Sequence, residues 1–153
     1  MLMRSLDPEE ARLLVDRLRR VTPQSVRRWG RMSVQEMVCH LADAYRHCMG
    51  EIPASPVDTV FTRNVVKPIA LWLPMPWPPG YPTRPEVDPQ RAGTKPVDFV
   101  RDRDRVEAEM YRFIDAVHRG TMAQHAIFGA MSKREWLRWG WRHMDHHLRQ
   151  FGQ

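Results

Sequence analysis

The chain has 153 residues, 42% of them hydrophobic and 27% charged, which fits one globular domain over 1–153 and excludes a disordered or fibrous segment. Its 24 basic and 18 acidic residues leave a net charge of +6, but the cations are scattered with no like-charge run, so no nucleic-acid partner is expected. Cys39 and Cys48 are too few for a disulfide framework, and neither a secretory segment nor an apolar run of ~18 residues is found, so a cytoplasmic protein without a membrane partner is expected.

The first helix is announced by Asp7-Pro8-Glu9-Glu10. Asp7 suits the cap, Pro8 the first helical position and Glu10 the reciprocal half of a capping box. Ala11, Leu14, Val15 and Leu18 then fall on one face. A second helix starts at Ser33, with Glu36 as box partner and Met32 and Met37 placed for a hydrophobic staple. Val34, Met37, Val38, Leu41 and Tyr45 form its apolar side, and Gly50 suits its end.

Eleven of the thirteen prolines lie between Pro53 and Pro96. Within this middle, 57–71 reads as a shorter amphipathic helix that Pro68 ends or kinks. The stretch 72–96 reads as a long crossover, and its Trp72, Met75 and Trp77 need burial, so it is expected to cover one end of the fold. A third long helix is expected over 97–117, with Val106, Met110, Phe113 and Val117 as its stripe. The last begins at Ser132, boxed by Glu135 and stapled by Met131 and Trp136. The aromatic-Gly-x-Met-Ser starts at Trp29 and Phe128 are read as shared capping grammar rather than a duplicated half. Four long amphipathic helices predict an all-α fold, a four-helix bundle with a proline-rich crossover between the second and third.

Seven histidines carry the chemistry. On a wheel of about 100° per residue, His143 and His147 share the apolar arc of the last helix with Trp136, Gly140 and Met144. Arg134, Arg138, Arg142, Asp145 and Arg149 take the opposite arc, with His146 turned toward them and solvent. Two imidazoles one turn apart on a buried face are costly without partners. A divalent cation answers that cost, because neutral imidazole is a good ligand, and Gly140 is expected to leave room beside them. His40 borders the apolar side of the second helix, and packing of helix faces can bring it to the pair. Three neutral histidines would leave coordination positions free for water or substrate, the composition of a catalytic site. Imidazole suits several transition metals, with zinc or nickel the first expectation.

Two pieces of the chain resemble the DinB/YfiT-like superfamily of four-helix-bundle metalloenzymes: Trp29-Gly30-x-Met32-Ser33 leading to His40-Leu41-x-Asp43, and His143-x3-His147-Leu148-Arg149-Gln150-Phe151-Gly152. The likeness spans 28–152 and is strongest to a branch with an aromatic-Gly turn before the last helix. It implies a divalent metal on one histidine of the second helix and a His-x3-His pair of the fourth, here His40, His143 and His147. It also suggests thiol-dependent S-transfer, with a low-molecular-weight thiol as partner. The branch often has His-Pro before its Phe-Gly turn, whereas this chain has His125-Ala126-Ile127-Phe128-Gly129. His125 is accordingly expected beside the substrate or behind the ligands.

Glu36, one turn before His40, is a candidate to orient a ligand or act as a base, and Asp43, one turn after it, and Gln150, beside His147, are candidates to orient the ligands. Cys39 is read as a buried thiol, and His47, His118 and His146 as surface or helix-end residues. Trp72, Trp77, Trp136, Trp139 and Trp141 are expected to pack and to wall an apolar pocket. The function expected is a metal-dependent thiol S-transferase or hydrolase acting on a small molecule. The alternative is a non-catalytic bundle that binds metal or an apolar ligand, with a stress-related role; either can form a homodimer.

Overall fold

The computed structural model describes residues 3–153. These form five α-helices: α1 (Pro8–Arg19), α2 (Val34–Cys48), α3 (Lys67–Trp72), α4 (Phe99–Arg119) and α5 (Lys133–Gln150). A π-helical turn, Thr62–Val66, runs into α3, and a 3-10 turn spans Pro85–Val87. No strand occurs among the described residues, and no helix is long and apolar enough to cross a membrane.

Local chemistry sets the helix starts. Ser33 and Glu36 form a complete capping box on α2, and Ser132 and Glu135 form another on α5. Asp7 caps α1 by accepting from the Glu10 amide at 2.9 Å. The Glu10 carboxylate departs from the expected box and instead accepts from the Trp141 indole at 2.9 Å, tying α1 to α5. The third long helix starts two residues later than expected, behind the Asp98 cap, and stops at Gly120, whose φ of 74° is the left-handed turn glycine favours.

Pro68 sits inside a helical run instead of ending it. The turn before it is wide, with the Lys67 amide donating to Thr62 five residues back. That geometry accommodates a residue that lacks an N–H and crowds the carbonyl four positions earlier.

The helices α2 and α4 pack along one another, and α5 packs on α1, α2 and α4. The centre is Leu14, Leu18, Met37, Leu41, Tyr45, Met110, Phe113, Met144 and Leu148, all fully buried. Each such side chain contributes roughly 1.5–3 kcal/mol of hydrophobic stabilisation. Gly140 lies within this packing and not in space beside the histidines. A β-carbon there would stand 2.7 Å from Leu6 Cδ1 and 2.8 Å from Phe113 Cε1. Its carbonyl also accepts from the Tyr45 hydroxyl at 3.0 Å.

The proline-rich middle is fastened to α5 by two arginines expected on its solvent arc. Arg138 and Arg142 are only 5% and 7% exposed. Arg138 Nε donates to the Leu71 carbonyl at 2.7 Å, and Arg142 donates to the carbonyls of Leu73, at 2.8 Å, and Met75. Burial and the neighbouring Arg138 bring the Arg142 pKa down to about 10. Further along, the Thr94 amide and hydroxyl donate to the Asp43 carboxylate at 2.7 and 2.8 Å, closing the segment onto α2.

Candidate metal centre

His40 comes from α2, and His143 and His147 come from successive turns of α5. One nitrogen from each converges so that all three atoms lie within 4.8 Å of one another, a spacing that can hold a metal ion. His40 Nε2 and His143 Nε2 are 3.2 Å apart, close to the separation of two nitrogens sharing one ion.

The protonation pattern follows from the neighbours. His40 Nδ1 lies 2.8 Å from the Val87 carbonyl, which can only accept, so the proton is on Nδ1 and Nε2 carries a lone pair. Gln150 Nε2 donates to the Trp29 carbonyl at 2.7 Å, which turns its Oε1 toward His147 Nδ1 at 3.0 Å. His147 therefore also donates from Nδ1 and presents a bare Nε2. His143 has no such bond, because its Nδ1 is buried and unpartnered. Its ring is aligned by stacking on Trp139, with centroids 4.8 Å apart and planes 9° from parallel.

Burial pushes the pKa of all three rings below the ordinary histidine value, with mutual repulsion adding to the effect at His143 and His147. Three neutral imidazoles, two of them with a bare Nε2 turned into the cluster, suit a divalent cation. His40 is 4% exposed, while His143 and His147 keep partial exposure toward an apolar cavity of about 400 Å³.

The other expected residues divide. Gln150 braces His147 as described, and Gly30 allows it, since a β-carbon on Gly30 would stand 2.5 Å from Gln150 Nε2. The Trp29-Gly30 turn and the α5 end are thus one contact. Asp43 is 1% exposed but bonds Thr94 and Arg46, not His40. The brace expected from Asp43 is supplied instead by the Val87 carbonyl. Glu36 is engaged by its own cap and by Gln90 Nε2 at 3.0 Å. Cys39 and Cys48 are free and buried; burial and Asp102 push the Cys39 thiol up to about 12, so it is not a ready ligand.

His125 is 7% exposed and lines the same cavity. Without the proline, its turn closes through paired backbone bonds with Gly129 of 2.9 and 2.8 Å. Two histidines expected at the surface or at a helix end also line the cavity, and His47 does lie in the last turn of α2. His146 sits between Trp29 and Trp77, with centroids 5.8 and 6.0 Å away. His47 bonds the Ile52 carbonyl through Nδ1 at 2.7 Å. Its spacing of seven from His40, two turns along one helix face, was the available signal. His118 is exposed, as expected.

The chain belongs to the family described as "Protein of unknown function (DUF1569)", whose model matches residues 2–153. No curated protein and no solved structure matches it.

Proposed function

We propose that this chain holds one divalent metal, zinc or nickel, on His40, His143 and His147, and is a metal-dependent enzyme acting on a small molecule. The observation that carries this is the pair of braces behind the ligands. His40 and His147 both spend Nδ1 on a protein acceptor, so their free lone pairs face His143. The DinB/YfiT-like resemblance of the two motifs supports the same three residues. It also supports taking the four long helices as a bundle and the proline-rich segment as its cover.

A divalent ion so held supplies Lewis acidity, lowering the pKa of a thiol or water and polarising an electrophile. The chain itself does the rest. Burial keeps the three rings neutral, and three protein ligands leave coordination positions free on the cavity side. Trp77, Phe128 and Trp139 line the cavity and give it apolar walls. This suits transfer of a low-molecular-weight thiol first, and hydrolysis second. Free, buried cysteines fit a reducing cytoplasm. A homodimer belongs to the same proposal, since Val60, Phe61, Val65 and Ile69 are exposed apolar residues on the middle segment.

The apolar lining favours one second function, a non-catalytic carrier of an apolar ligand. Elemental analysis of tag-free protein, beside a His143→Ala, His147→Ala double variant, tests the metal. Near-stoichiometric metal, native or after zinc or nickel titration, that disappears in a folded variant is expected. No uptake at micromolar metal would reject the enzyme in favour of the carrier. Turnover of electrophiles with thiols that stops on chelation separates a catalytic centre from a passive one.

A further inference from the structure

We infer that His125 is a fixed hydrogen-bond donor to the substrate, so that the cavity takes an apolar molecule bearing an uncharged carbonyl oxygen. Its Nδ1 accepts from two backbone amides of its own turn, Ile127 and Phe128, each at 3.2 Å. Amides only donate, so Nδ1 must be bare. Burial brings the ring pKa down to about 3, so the ring is neutral near pH 7 and its single proton sits on Nε2. Nδ1 is turned into the loop, and Nε2 is the nitrogen left for the cavity that His125 lines, with no protein acceptor among the described residues.

The ring cannot swing away to find an acceptor. Phe128 stacks on it with centroids 4.6 Å apart and planes 12° from parallel, and Trp139 meets it edge-on at 5.3 Å. Trp139 also stacks on His143, so a single indole separates the donor from the metal-binding face. This N–H has no acceptor among the described residues, so a ligand oxygen that reaches it in the apolar cavity gains a directed bond there.

The same tautomer excludes two other roles. A protonated Nε2 has no lone pair, so His125 is not a fourth ligand, and a neutral donor is no general base. The acceptor it fits is uncharged, because the donor is neutral and the lining mainly apolar, where stripping a charged group of its water costs most. The inference rests on the cavity being the substrate site, but not on the metal being present.

Acetophenone and α-methylstyrene have nearly the same shape and differ in C=O against C=CH2, and both are titrated into chelator-treated full-length protein. Nitrogen-15 NMR of the His125 ring is expected to show a bare Nδ1 and a protonated Nε2 that shifts with acetophenone. Acetophenone should bind about tenfold more tightly than α-methylstyrene. His125→Asn should abolish the preference, because Asn Oδ1 still accepts from the turn while the shorter side chain withdraws the donor. Circular dichroism and melting confirm that the variant folds. A proton on Nδ1, equal affinities in the wild type, no binding of either probe, or a preference that survives in the variant would overturn the inference. Zinc uptake is measured on the same sample, so loss of the carbonyl preference and loss of the metal are separate results.

Discussion

Gln150 bonds His147 with one end of its amide and the Trp29 carbonyl with the other, at 3.0 and 2.7 Å, so the loop before α2 sets the angle of a candidate ligand on α5. Gln150→Leu keeps the volume and removes both bonds. Metal affinity should fall about 10- to 100-fold, the usual effect of removing a ligand's brace, with little change in helix content. Gly30→Ala should act in the same direction, because its φ of 82° strains any β-carbon and the new atom meets Gln150. Competition with a chromogenic zinc chelator measures both; unchanged affinity in Gln150→Leu would remove it from the site.

Acid should unfold the metal-free protein through its histidines. His125 has a folded pKa of about 3, and burial lowers those of His40, His143 and His147 as well, against about 6.5 in the unfolded chain. The unfolded state therefore binds more protons below about 6.5. The stability from keeping these rings neutral is complete above that pH and is lost as pH falls toward each folded value. Each ring contributes a slope of up to about 1.4 kcal/mol per pH unit in that window. Urea unfolding at stepped pH should show a plateau near neutrality and a fall below it, less steep in His125→Asn. A flat profile down to about pH 4 would contradict it.

Arg142 anchors the start of the proline-rich segment, and Arg142→Met should release it. Methionine keeps the apolar stem but leaves the Leu73 and Met75 carbonyls without their donor. A loss of about 1–3 kcal/mol is expected, with faster amide exchange over 73–77. Hydrogen exchange read by mass spectrometry checks this, and protection equal to the wild type would show that the proline segment holds itself.

Gly140→Ala should destabilise the protein by about 1–3 kcal/mol through overpacking, although alanine is the better helix former. The added carbon meets Leu6 and Phe113 at under 3 Å. Thermal melting decides between the two effects, and a higher midpoint would mean that α5 can shift away from α4.

The pattern of caps and apolar residues was enough to find the long helices, because those signals are local. Ser33 and Ser132 with their glutamates, and the stripe through Phe113, each need only neighbours in sequence. His143 and His147 were legible for the same reason, as one turn on one face. Their surroundings were not. The brace on His40 is a backbone carbonyl, which no residue type advertises, and Val87 lies 47 positions away. Arg138 and Arg142 fell on the polar arc because periodicity records charge and is blind to carbonyls arriving from another segment. Asp43 was adjacent to His40 on the wheel, yet Thr94 competes successfully for its carboxylate. Of the two expectations for Pro68, ending or kinking its helix, the first fails because a wide turn that has no residue signature precedes it.

His40 and His143 are 103 positions apart in the chain. During synthesis, most of the polypeptide emerges before the second and third ligands exist, so a nascent chain has nothing with which to capture an ion. The three-histidine cluster therefore assembles only when the last helix docks, and on the proposed function loading would follow folding instead of templating it. An ion held by this cluster would lie on the wall of the apolar cavity, beside any small molecule bound there. On the proposed function, a filled cavity would then slow the escape of whatever ion the cluster held.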